Sequence, residues 1–365
     1  MKWRTLAAMA FGAGAVIVFV GGLAYLGDEG LAPIDRLVAK VTGMQPRTAA
    51  HKDPALADDS AGGWFVPDID KLPDDAWGRM VRKGRDQTVR TPSLLGPEAT
   101  DPTMRFAGSN LTCQNCHLKA GTKKFGLPFI GVFASYPEYS ARHGAVATME
   151  DRVNSCMTRS LNGKPLPVDS EAMVAFISYF KFLSQGRPIG EPTLGRGAGS
   201  LPELTRAADP AAGAKVFAAS CAACHGANGL GRRVGSVGDG QGYEFPPLWG
   251  PDSFNDGAGM ARLTDAANFI YANMPNGATY EQPTLTSEQA WDVAAYLESM
   301  ARPQLAGLDK DFPNRLQKPV DAAYGPYADG FPELQHKYGP FQPIRDKLMA
   351  MEKAEAAAKA SPAAP

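Results

Sequence analysis

Apolar positions are distributed unevenly along the chain. An uncharged, mostly apolar run covers Thr5–Leu26, 22 residues, and about 20 suffice for a helix to span a bilayer. Lys2 and Arg4 precede it and Asp28–Glu29 follow it, which places the rest of the chain outside the cytoplasm. This predicts a retained membrane anchor over 1–28, with a cleaved export signal as the alternative. Residues 29–62 are polar, lack periodicity and read as a stalk. Beyond them, helical apolar periodicity is clearest in two places, "DSEAMVAFISYFKFLS" at Asp169–Ser184 and "TSEQAWDVAAYLESM" at Thr286–Met300. Each opens on an N-capping residue, Asp169 or Thr286, followed by Ser-Glu. Each carries a tyrosine at the same offset, Tyr179 and Tyr296.

These two stretches close two similar units. The first unit spans 63–185 and the second 208–303. The stretch between them, 186–207, is rich in Gly and Pro and reads as a linker. The second unit opens with "DPAAGAKVFAAS", a short helix. Strand-like alternation is scarce, so the expected class is all-α, with two small helical domains in tandem behind an N-terminal membrane helix. After them, 304–345 is rich in Pro, Gly and aromatics and is expected to be ordered coil on the domain surfaces. The Ala/Lys/Glu-rich end, 346–365, is expected to be a flexible tail, a frayed helix or disordered.

The cysteines add chemistry. Four of the five lie in two copies of Cys-x-x-Cys-His, "CQNCH" at Cys113–His117 and "CAACH" at Cys221–His225. This is the attachment motif of c-type haem: Cys113 and Cys116, and Cys221 and Cys224, bond the macrocycle, and His117 and His225 ligate iron. A zinc site would need the four thiols together, and Cys116 and Cys221 are 105 residues apart. A redox dithiol leaves both histidines unexplained. Two covalent c-type haems are therefore expected, one in each of two cytochrome c-like domains. For the sixth position of the second iron the candidates are Met274, in the loop-like "YANMPNG", then Met260 and Met300. For the first they are Cys156, His143, Met149 and Met157. Cys156 has no cysteine partner, lies between motif and closing stretch as Met274 does, and stands among Arg142, Arg152, Arg159 and Lys164, cations that favour a thiolate.

Charge refines this picture. The chain has 37 basic and 38 acidic residues, which argues against a nucleic-acid partner. Locally the balance breaks. Cys113–Lys164 holds seven Lys/Arg against three acids, and His225–Met300 holds three arginines against nine acids. The first predicts an anion site; the second predicts a docking face for a basic electron acceptor such as a cytochrome c.

The texts "GSNLTCQNCHLKAGT", "SYPEYSARHG", "EDRVNSCMTRSLNGKPLP" and "NMP" resemble the dihaem thiosulfate dehydrogenases, the tetrathionate-forming cytochromes, in order and spacing over roughly 64–300. The resemblance implies oxidation of two thiosulfates to tetrathionate, or the reverse, at a first haem ligated by His117 and Cys156. It assigns Arg142, Arg152 and Ser160 to the substrate site. It makes the second haem, with His225 and Met274, the electron exit. Where some members have a lysine beside that methionine, this chain has Asn273, which argues against a Lys/Met ligand switch. The alternative is a membrane-anchored dihaem relay without substrate chemistry. That alternative leaves a cysteine among arginines unexplained.

Overall fold

The computed structural model describes residues 64–360. Among them no helix is long and apolar enough to cross a membrane; the expected anchor and stalk, 1–62, lie outside the described residues. The longer helices are α1 (Ala76–Val89), α2 (Met149–Ser155), α3 (Glu171–Leu183), α4 (Pro210–Ser220), α5 (Leu263–Asn273), α6 (Ser287–Ser299) and α7 (Gln342–Ala360). The class is mostly helical rather than all-α. Two short antiparallel ladders interrupt it, β1 (Glu138–Ser140) with β2 (Ala145–Ala147), and β3 (Arg232–Arg233) with β4 (Tyr243–Phe245). Both are small hairpins whose backbone groups pair locally instead of joining a helix.

The same device builds each helical core. In the first, α1 crosses α3 where a Cβ on Gly84 would lie 2.1 Å from Ala175 O and 2.7 Å from Tyr179 Cβ. In the second, α4 crosses α6 where a Cβ on Gly213 would lie 1.9 Å from Asp292 O and 2.9 Å from Tyr296 Cβ. Only glycine permits so close an approach of two backbones. The tyrosines that matched by offset thus make matching contacts. The α3 cap is Ser170, not Asp169: its hydroxyl accepts from Met173 N at 3.2 Å. Thr286 caps α6 in a reciprocal capping box with Gln289.

Leu95, Ile130, Met157, Met173, Phe176, Tyr179 and Leu183 are central to the first core; Ala267, Ala290, Trp291, Val293 and Ile344 are central to the second. Ile344 and Leu348, one helical turn apart, bury α7 against the second core. The stretch from 346 is helical through Ala360 and exposed over 352–359. The stretch read as a linker is also bonded in place. Phe125 N donates to Gly195 O and Leu127 N to Gly197 O, strapping it along the loop that follows His117.

Candidate functional site

The end of α1 sets the first motif. Thr91 Oγ1 donates to Gln87 O at 2.7 Å and accepts from Cys113 N at 3.1 Å. Cys113–Asn115 then forms a tight 3-10 turn, and His117 N closes on Cys113 O at 2.9 Å. The curl leaves the Cys113 and Cys116 sulfurs within electrostatic reach of each other. His117 Nδ1 bonds Leu127 O at 2.5 Å and its ring stacks on Phe129 at 4.3 Å. In the second motif His225 Nδ1 bonds Pro246 O at 2.8 Å. Both bonds fix the tautomer that leaves Nε2 free for a metal. Burial drives the His117 pKa down to about 4 and lowers that of His225, so both rings stay neutral, as ligands must be. All five cysteines are unpaired. Burial pushes the Cys113 thiol up to about 11, Cys116 to about 12 and Cys221 to about 11. The donor set fits c-type haem at both motifs.

Strain gathers around the first motif. Of the six non-glycine residues with positive φ among the described residues, Lys119, Ala120, Phe125 and Leu127 lie within ten residues of His117. Left-handed backbone costs on the order of 1–2 kcal/mol per such residue and concentrates at functional sites. Here it turns the Leu127 carbonyl back onto His117.

Cys156 faces this motif. Its sulfur lies within electrostatic reach of both the Cys113 and the Cys116 sulfur. The residue begins a π-helical turn, Cys156–Ser160, that continues α2; such turns recur at functional sites. Arg152, one α-helical turn earlier on the same face, donates from Nη1 to Cys156 Sγ at 3.0 Å. The Cys156 sulfur is the largest influence holding that guanidinium charged, with Tyr136 and Glu138 adding to it. Burial pushes the Tyr136 hydroxyl up to about 12. Ser160 ends the turn, half-buried. The other candidates stand differently: His143 is exposed, and Met149 and Met157 are buried in the core. In the second domain, Met260 and Met274 both pack on the core that Cys221 also touches, whereas Met300 caps α6.

Arg142 is not gathered beside Cys156 in the same way. Its Nη1 binds Asp311 Oδ2 at 2.8 Å, and Arg159 grips the same carboxylate at 2.8 and 2.9 Å. Asp311 and its neighbour Tyr324 come from the coil after the second domain and had no signal in the sequence.

Most acids of the acidic window in the second domain are ion-paired. Arg206 binds Asp292 and lies near Glu288; Arg302 holds Glu298, Lys124 faces Glu281, and Arg233 and Arg262 reach Asp252 and Asp265. Three of these cations come from outside the window, which was counted along the chain and so missed them. Glu98 and Asp321, also outside it, share Arg233 and Arg262, so the region stays acidic.

Residues 105–189 match the family model described as the SoxA/TsdA cytochrome c domain, and 210–301 match the model described as cytochrome c; the chain carries two c-type haems. A thiosulfate dehydrogenase of Thiomonas intermedia (strain K12) is 43% identical over 244 residues, 67% of this chain and 73% of that protein. One of Allochromatium vinosum is 42% identical over 242 residues, 65% and 84%. Among solved structures, the thiosulfate dehydrogenase TsdBA of Marichromatium purpuratum, in its as-isolated form, superposes with TM-score 0.61 at 35% identity. That match covers 70% of this chain and about half, 53%, of the longer one. With two haem domains and relatives of this identity and coverage, the chain belongs to the thiosulfate dehydrogenase family.

Proposed function

We propose that this protein is an exported dihaem oxidoreductase that joins two thiosulfates into tetrathionate at Cys156 and passes the two electrons through its second domain to a cytochrome-type acceptor. The observation that carries this reading is the 3.0 Å contact of Arg152 Nη1 with Cys156 Sγ on a π-helical turn facing the first haem motif. A structural cysteine has no use for such a partner; a nucleophile does, because a cation favours the thiolate.

When bound, the c-type haems supply one-electron acceptors, the first beside Cys156 and the second at the exit. His117 and Cys156 would hold the first iron, and His225 and Met274 the second. The chain's own residues then do the sulfur chemistry. The Cys156 thiolate and the sulfane sulfur of one thiosulfate form an S–S bond, with loss of two electrons, giving a cysteine S-thiosulfonate. The second thiosulfate attacks the Cys156 sulfur's neighbour in that bond, forms the central S–S bond of tetrathionate and expels the Cys156 thiolate. No proton is needed in either step. Reversal of the two steps reduces tetrathionate.

Charge is the obstacle. Two dianions 4 Å apart at an effective dielectric of 20 repel by about 17 kcal/mol. Arg152 and the edge of Arg142 offer fixed cations where that charge crowds, and Ser160 offers a hydroxyl at the end of the same turn. In the second domain Cys224 is exposed, which suits electron exit at the surface.

The purified holoprotein should reduce ferricyanide when thiosulfate is added, with tetrathionate as product at one per two electrons. Ferricyanide reduction absent with thiosulfate, together with no oxidation of a reduced dye by tetrathionate, overturns the reading in favour of a relay.

A further inference from the structure

We propose that Asp311 is a positioning residue of the first site, so that the segment following both cytochrome c domains completes a substrate-binding surface the domains do not make alone. The inference rests on Arg142 being a substrate-binding arginine, and goes beyond it.

The argument is a count of guanidinium edges. Arg159 places both terminal nitrogens on Asp311, Nη1 on Oδ2 at 2.9 Å and Nη2 on Oδ1 at 2.8 Å, and Nη1 also reaches Gly257 O. That fork is fully engaged by one carboxylate. Arg142 bonds described residues through Nη1 alone: Asp311 Oδ2 at 2.8 Å, Tyr324 Oη at 3.3 Å and Gly257 O at 3.5 Å. Its Nε and Nη2 have no partner among them. A planar guanidinium held by one nitrogen presents its opposite edge in a fixed direction, the geometry that grips an oxyanion with two parallel bonds. Arg159 is therefore support, and Arg142 is the arginine with an edge to offer.

Asp311 is not a mobile plug in the anion's place. Its side chain is 7% exposed. Tyr324 Oη donates to its Oδ2 at 2.9 Å, and Phe312 N donates to Arg142 O at 2.8 Å. Arg315 Nη1 binds the Asp311 and Phe312 carbonyls, and the Phe312 ring lies 5.2 Å from the Arg142 guanidinium. Gly257, from the second domain, adds its carbonyl to both arginines. Three parts of the chain thus meet at these two arginines, and the two outside the first domain supply the groups that hold them.

A double-mutant cycle on the holoenzyme tests this, read as kcat/KM for thiosulfate with melting temperature and the first haem's paramagnetic resonance as controls. Asp311→Asn should lower kcat/KM about tenfold and Arg142→Ala more. The double variant should be no worse than Arg142→Ala, because both changes remove one function. Tyr324→Phe, which keeps the ion pairs, should lose about two- to threefold in the same non-additive way and serves if Asp311→Asn does not fold. Additive losses would overturn the role of Asp311 and leave Arg142 standing. Wild-type kinetics for Arg142→Ala would instead overturn the substrate reading of Arg142, and this inference with it.

Discussion

The two haem motifs are held alike and finished differently. Each ends on a histidine whose Nδ1 is bonded to a distant backbone carbonyl, Leu127 O or Pro246 O. Each sits on a pair of helices crossing at a glycine and a tyrosine. The first domain then adds a strained left-handed loop, the strapped 186–207 segment, a cysteine paired with an arginine, and a carboxylate brought from the C-terminal coil. The second has methionines packed on its core and a motif cysteine at the surface. One scaffold is thus finished in two ways, and on the proposed reading that difference separates the catalytic site from the electron exit.

The largest break in this comparison should come from Cys156. In Cys156→Gly, turnover should fall by a factor of at least about 10³, the scale seen when a covalent nucleophile is lost. The first haem should lose its thiolate signature while the second keeps its spectrum, since the two motifs share no ligand. Cys156→Met should leave a six-coordinate iron at higher potential and still no turnover, because a thioether carries no sulfur adduct. Turnover near wild type in Cys156→Met would show that the thiol is a ligand only, and the two sites would be chemically alike.

Arg152 comes next. Arg152→Ala should lower kcat/KM for thiosulfate about 10²-fold, near 2.7 kcal/mol, the size of one lost donor to crowding negative charge. Arg152→Lys should recover only part of it, since an ammonium lacks the fork. Haem content should be unchanged, and so should the second haem. Normal steady-state kinetics in Arg152→Ala would reduce the contact with Cys156 to surface chemistry.

What could be read from the sequence follows distance along the chain. The haem motifs and the closing helices α3 and α6 are local patterns, with spacings of a few residues and one apolar face. Helix α1 escaped notice because its buried face is Gly78, Val81, Gly84, Gln87 and Thr88, small and polar side chains selected for close approach rather than for hydrophobicity. Asp311 is 169 residues from Arg142 and sits in coil, so no periodicity announces it. Tyr136 lies in "SYPEYS", inside the family resemblance, yet nothing in the text says that it flanks Arg152. Charge counted along the chain says little about where it gathers, for the same reason. Seven cations around Cys156 became a pair on Asp311, one on the sulfur, and the rest dispersed, with Lys124 facing Glu281 and Lys123 on Ala278 O.

The smallest predicted effect concerns the closing helices themselves. The buried face of α3 carries no ionisable carboxylate, whereas α6 buries Asp292 and Glu298. Burial pushes the Glu298 carboxyl up to about 7, against the pull of Arg302, whose Nη2 is 3.2 Å away. A raised pKa means that the folded state binds the proton more tightly than the unfolded state, so this contribution is fully present below about 4.5 and is lost as pH rises to about 7. The full shift corresponds to at most about 3 kcal/mol. Holoenzyme melting temperature should therefore fall from pH 5 to pH 7.5 more steeply in the wild type than in Glu298→Gln, which cannot ionise. Above pH 7.5 the two profiles should run parallel, and thiosulfate turnover should be the same in both. Profiles that are parallel from pH 5 upward would mean that Arg302 keeps Glu298 ionised throughout, and that α6 tolerates its buried charge by pairing rather than by protonation.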